Sequence, residues 1–179
     1  FAFSGESLAQ AEWTEHRLIY VSETLTEPLH ISGTPKIELK LASSKPFANL
    51  SVWLVSLPWN NDKKAKITDN IITRGWADPQ NQHSIRESEP LEPGKFYDVK
   101  FDLQPDDQII AKGQQIGLMI FSSDRNVTLW PTPGTELTVD LDATQLSLPV
   151  VGGVDAFKKS TQKPSENEPT EAVTPSAKS

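Results

Sequence analysis

Cysteine is missing from this chain of 179 residues. That removes disulfide frameworks and thiolate metal sites together, and it fits a reducing compartment. Methionine occurs once, at Met119, and none begins the sequence, which points to a domain excised from a longer product. Histidine is confined to His16, His30 and His83, with no His-x-x-His spacing and no calcium-loop signature, so no ready transition-metal site is offered. No apolar run approaches the roughly 20 residues that span a bilayer, so no membrane span is expected. The opening Phe-Ala-Phe-Ser-Gly-Glu-Ser also lacks the basic and apolar regions of a secretion signal. Nor is there a basic excess, since 17 Lys and Arg stand against 24 Asp and Glu for a formal charge of −7. Spread along the chain, that sign disfavours a phosphate backbone and excludes nucleic acid as an expected partner.

What is present reads as strands. Arg17 to Ser22 and Leu29 to Ile31 are the first two, and Ile37, Leu39 and Leu41 then alternate with Glu38 and Lys40, placing one face in a core and one in water. From Leu50 to Leu57 both faces are apolar, with Leu50, Val52 and Leu54 on one side and Trp53, Val55 and Leu57 on the other, so a central strand covered on both sides is expected. Ile71 to Pro79 reads as a strand ending in a structured loop, where Gly75 permits a bend or a close backbone approach and Pro79 removes a ladder donor. Phe96 to Leu103, Ile116 to Ser122, and Leu137, Val139, Leu141, Leu146 and Leu148 continue the pattern. About eight or nine strands without a long helix argue for an all-β fold, a β-sandwich of two antiparallel sheets with a jelly roll as its expected form. Residues 1–15 read as an entry linker, weakly amphipathic, with Leu8 and Ala11 on one side of a possible short helix, leading into a domain over 16–153. Residues 154–179, rich in Lys, Glu, Pro and Ser, read as a disordered tail, because ordering them costs about 1–2 kcal/mol each with little apolar area to offset it.

The search for chemistry is mostly negative. Gly5-Glu6-Ser7-Leu8-Ala9 approaches the nucleophile elbow Gly-x-Ser-x-Gly, but Ala9 replaces the second glycine and only four residues precede it, too few for a core strand. The three histidines read as ordinary hydrogen-bonded or exposed side chains, with His83 in a polar loop beside Ser84. Asp106, Asp107, Asp140 and Asp142 fit turns and solvent faces better than a calcium site. The sequons Asn49-Leu50-Ser51 and Asn126-Val127-Thr128 matter only in a secreted protein. Trp53 belongs to the doubly covered strand, whereas Trp59, Trp76 and Trp130 sit at loop edges, where they could line a sugar site or a domain interface.

Four segments carry a resemblance: Thr73-Arg74-Gly75-Trp76-Ala77-Asp78-Pro79-Gln80-Asn81, Glu87-Ser88-Glu89-Pro90, Pro93-Gly94-Lys95-Phe96-Tyr97 and Lys112-Gly113-Gln114-Gln115-Ile116-Gly117-Leu118. In this order they resemble the C-terminal domain of X-prolyl dipeptidyl aminopeptidases of the lactic acid bacterial type, over about Trp13 to Leu148. Gln114 and Gln115 depart from the family, where a basic pair is common. The resemblance implies a galactose-binding-like jelly roll belonging to a cytoplasmic, cofactor-free serine peptidase that removes X-Pro dipeptides from peptide N-termini. It places the nucleophile, acid and histidine in a preceding α/β-hydrolase domain, so the isolated chain is expected not to be an enzyme. That catalytic domain is the expected partner, and self-association of the parent is a further expectation. Arg74, Trp76, Trp59 and Trp130 are the candidates for an interdomain or ligand face. The alternative reading is an independent carbohydrate-binding or surface-association sandwich.

Overall fold

In the computed structural model, which describes residues 3–60 and 62–162, the strand β4 (Leu50–Leu57) is buried along its whole length. Its alternation places Leu50, Val52 and Leu54 in the main core, together with Ile116, Leu118 and Ile120 of β8 (Gln115–Phe121). Trp53, Val55 and Leu57 turn the other way and join Met119 and Phe121 in a second core. A period of two on a strand covered from both sides gives this division directly.

Beside these strands lie β1 (Arg17–Val21) and β5 (Ile71–Ala77), completing an antiparallel sheet in the order β1-β8-β4-β5. Facing it is a three-stranded sheet of β6 (Phe96–Asp102), β3 (Lys36–Ser43) and β9 (Leu137–Ser147), in the order β6-β3-β9. A pair formed by β2 (Leu29–Gly33) and β7 (Asp106–Ile110) closes the same main core with Leu29, Ile31 and Ile110. The pairing is nested: β1 meets β8, β2 meets β7, β3 meets β6 and β4 meets β5. The chain is therefore one long antiparallel hairpin rolled on itself, the jelly roll expected from the sequence. Strand β9 adds to the free edge of β3, but Glu38 pairs with Gln145 and Lys40 with Asp140, so residues 141–144 bulge out opposite Leu39. Asp140 shapes that bulge, its Oδ1 accepting the Asp142 and Ala143 amides at 3.1 and 3.3 Å. Leu141, expected inward by alternation, is exposed as a result.

The outer face of the first sheet is closed by a short helix, α1 (Gly5–Gln10), whose Leu8 and Ala9 are buried in the second core. Residues 1–15 are thus more than the linker that their composition suggests. Six residues are too few to be stable alone, and side chains from elsewhere hold the helix. Ser4 Oγ accepts the Ser7 amide at 3.2 Å. The Asp124 carboxylate, buried, accepts the Gly5 amide on Oδ1 and the Trp53 indole N–H on Oδ2, both at 3.2 Å. At the other end the Arg17 guanidinium donates to the Ala11 carbonyl at 2.8 Å and to the carbonyls of Leu8 and Ala9. A cation at a helix C-terminus meets the carbonyls that lack intrahelical partners.

The disordered chain expected from residue 154 is replaced, up to residue 161, by a second helix, α2 (Gly153–Thr161). Phe157 packs against the main core, the Thr26 amide donates to the Ser160 carbonyl at 2.7 Å, and Lys159 pairs with Glu27 at 3.0 Å. One aromatic anchor and these bonds supply what the composition does not show. Residues 163–179 of the expected tail lie outside the described residues.

Two measurements test this account. A Cβ built on Gly5 would sit 2.1 and 2.4 Å from Trp53 ring atoms. Gly5→Ala is therefore expected to destabilise by about 1–3 kcal/mol in urea unfolding, and an unchanged midpoint would mean that α1 does not lie on Trp53. Across the β2–β7 pair, His30 Nε2 donates to Asp107 Oδ1 at 2.6 Å. That bond, with a lesser one from Ser32, holds the Asp107 carboxyl below its ordinary range against a small opposing effect of burial. Because the folded carboxyl is the more acidic, the pairing favours the fold at neutral pH and is lost as pH falls below the ordinary carboxylate range. An NMR titration should find the Asp107 midpoint depressed, and His30→Ala should move it back up; a midpoint unmoved by that substitution would show that the bond is not made in solution.

Candidate functional site

The strand pairings bring several connections to one end of the sandwich. There Ala42 pairs with Phe96, Ser43 with Leu137, Leu50 with Ala77, and Ser51 and Arg17 both with Phe121. The connections 44–49, 78–95 and 122–136, and the segment 3–16 before β1, therefore meet at this end. They hold large apolar side chains in water: Ile85 is 95% exposed, Leu129 85%, Trp13 81% and Trp130 69%, with Phe3, Phe47 and Val127 also exposed.

These loops are pinned rather than loose. The Asn49 amide donates to the Leu129 carbonyl at 2.6 Å, and the Ser44 amide to Glu136 at 2.9 Å. Gln80, buried, accepts the Ala48 amide on its side chain at 3.1 Å and the Glu89 amide on its carbonyl at 2.8 Å, while Leu91 donates to Pro46 at 2.8 Å. The Asp124 carbonyl accepts the Val127 and Thr128 amides, each at 2.8 Å. Phe3 is tied in by its carbonyl, which accepts the Ser123 hydroxyl at 2.8 Å and the Arg125 amide at 3.2 Å. These loops thus hold their apolar side chains in water on a fixed backbone.

Arg74 and Trp76 stand on one face of β5, opposite Trp53 and Ser51, and the Arg74 guanidinium lies 5.4 Å from the centroid of the Trp76 ring. Trp76 is half-buried, and its indole N–H has no hydrogen-bond partner among the described residues. Trp130 is carried by the 122–136 connection at the end where β5 finishes. Trp59 is not brought to Trp130. It follows the opposite end of β4, about 25 Å away at roughly 3.3 Å per residue, and packs on the second core with Ile67 and Ile71. The sequence reading also passed over Trp13, Ile85, Phe47 and Leu129. Ile85 is a lone apolar residue in the polar stretch from His83 to Glu89, a signal that could have been used.

Catalytic groups do not assemble. The Ser7 hydroxyl lies 2.8 Å from that of Ser4, on α1 rather than on a strand-to-helix elbow. His16 stacks on Phe3 with centroids 4.8 Å apart, His30 meets Asp107, and His83 Nδ1 meets Glu89 Oε2 at 3.2 Å in an exposed loop. Among the described residues no serine and histidine side chains are hydrogen-bonded to each other, and no three acidic or histidine side chains are placed to hold a metal ion. An apolar cleft of about 340 Å³ opens between Tyr20, Leu118, Leu146, Leu148 and Phe157. Burial raises the Tyr20 phenol's pKa there, and although Ser22 and Thr144 also line the cleft, no histidine or carboxylate lines it to activate them.

Comparison with known proteins agrees with this geometry. The family model described as the X-Pro dipeptidyl-peptidase C-terminal non-catalytic domain matches residues 1–171. A Rhodopirellula baltica protein named "Putative Xaa-Pro dipeptidyl-peptidase" is 74% identical over 153 residues, covering 86% of this chain and 24% of its own. The Xaa-Pro dipeptidyl-peptidase of Lactobacillus delbrueckii subsp. lactis is 28% identical over 169 residues, covering 78% and 21%. The chain thus spans less than a quarter of the length of these relatives. Among solved structures, an α-amino acid ester hydrolase shares the fold with a TM-score of 0.66 at 19% identity, over 84% of this chain and 27% of that one. An aminopeptidase from a marine sediment Thaumarchaeota archaeon gives 0.64 at 18%, over 84% and 28%. The chain belongs to the family of C-terminal non-catalytic domains of X-Pro dipeptidyl-peptidases.

Proposed function

We propose that this chain is the non-catalytic module of a longer serine-type peptidase, one that removes X-Pro dipeptides from peptide N-termini, and that it braces an α/β-hydrolase domain in the same polypeptide. The observation that carries the reading is the match of the X-Pro dipeptidyl-peptidase C-terminal non-catalytic domain over residues 1–171. Family membership and the share of the relatives' length that the chain covers support a larger parent. The lack of cysteine favours a reducing, cytoplasmic setting.

The purified chain is expected to leave an X-Pro chromogenic substrate intact. The parent protein is expected to cleave it and to lose that activity to a serine-directed inhibitor. Cleavage by the isolated chain, abolished by Ser7→Ala, would overturn the proposal.

A further inference from the structure

The two ends of the sandwich differ in a way that the fold itself does not require. One end carries Phe3, Trp13, Phe47, Ile85, Val127, Leu129 and Trp130, all exposed. The other presents Glu23, Glu27, Lys63, Lys64, Lys66 and Lys112 to water beside the aliphatic Val21, Ile109, Val151 and Val154, with no exposed aromatic there among the described residues. We infer that the 44–49, 78–95 and 122–136 connections, with the segment 3–16, form the surface on which the catalytic part of the parent polypeptide sits. The inference rests on the reading above that the chain is one module of a longer peptidase.

Three observations select that occupant. The relatives are about four times as long as the stretch they share with this chain, and the family is one of C-terminal domains, which puts the catalytic part of the parent on the N-terminal side of this stretch. The leading segment reaches the fold at this same end, where the Phe3 carbonyl is fixed by Ser123 and Arg125. The preceding domain is therefore delivered beside the apolar loops. Joined through a short connection, it faces them at an effective concentration on the order of millimolar, far above what a second copy reaches in dilute solution. The loops are also fixed in advance by Gln80, Asn49 and Asp124, so little ordering accompanies contact.

Because the chain has no native cysteine, single cysteines can report access. Leu129→Cys and Ile85→Cys on this end, and Ile109→Cys on β7, are made in both the isolated chain and the full-length parent, and maleimide labelling is followed by peptide mass spectrometry. All three positions are exposed, so the substitutions leave the cores intact. Labelling at 129 and 85 is expected to slow by about tenfold or more in the parent, with 109 unchanged, since thiol reactivity follows access. Hydroxyl-radical footprinting of the unsubstituted parent should likewise protect Trp13 and Trp130. Equal rates at 129 and 85 in both proteins would overturn the inference. So would protection at 109 alone, or protection that develops only as the parent is concentrated, which would identify a second copy as the occupant. Labelling needs no turnover, so a protected parent without X-Pro cleavage would refute the peptidase reading while leaving the surface intact. A cleaving parent with free cysteines would do the reverse.

Discussion

A buried carboxylate holds the outer half of this molecule together. Asp124 is almost wholly removed from water, and its two oxygens are taken by the Trp53 indole and the Gly5 amide. Stranding such a group without partners costs several kcal/mol, whereas charge-assisted hydrogen bonds from two fixed donors offset that penalty and give direction. The bonds orient Trp53 edge-on to Phe121, with centroids 5.4 Å apart, and seat α1 on the face that these rings create. Gly5 is the residue that allows the approach, since any side chain there would enter the indole.

The same residue links the fold to the surface. Through its own carbonyl, Asp124 sets the turn at Val127 and Thr128 that carries Leu129 and Trp130. The second core and the apolar end of the sandwich thus share one support. Since β4 and β8 contribute to both cores, a disturbance at α1 reaches the strands that separate them before it reaches the solvent-facing sheet.

Much of this was legible in the residues. The alternation of Ile37, Leu39 and Leu41, the two apolar faces of β4 and the core position of Trp53 all follow from period-two patterning, which local sequence records. Gly75 is also where a close approach was anticipated: a Cβ there would meet Leu103 Cδ2 at 2.7 Å and the Asp102 carbonyl at 3.1 Å. Of the two helices, α1 falls where Leu8 and Ala11 suggest a short helix, whereas α2 was not legible, because nine residues hold few turns to show a period and it is held by residues distant in sequence. Leu141 continued an alternation that the β9 bulge interrupts, and nothing local announces the bulge. The separation of Trp59 from Trp130 depends on which end of a strand each follows, a property of topology rather than of neighbouring residues. The family motifs were readable as they stood, and the match over residues 1–171 bears them out.

The nested pairing also governs how such a module is made. On a growing chain β4 finds β5 early, but β3 must wait for β6, β2 for β7, and β1 for β8, a partner about a hundred residues downstream. Translation at about 5–20 residues per second makes that an interval of seconds or longer, during which the module closes from its innermost hairpin outwards. β1 and α1 are seated only after Phe121 and Asp124 have emerged, with β9 and α2 still to follow. The segment before β1 is thus immobilised only once β8 and the turn after it exist, so a nascent chain, or one cut before Phe121, leaves that junction slack.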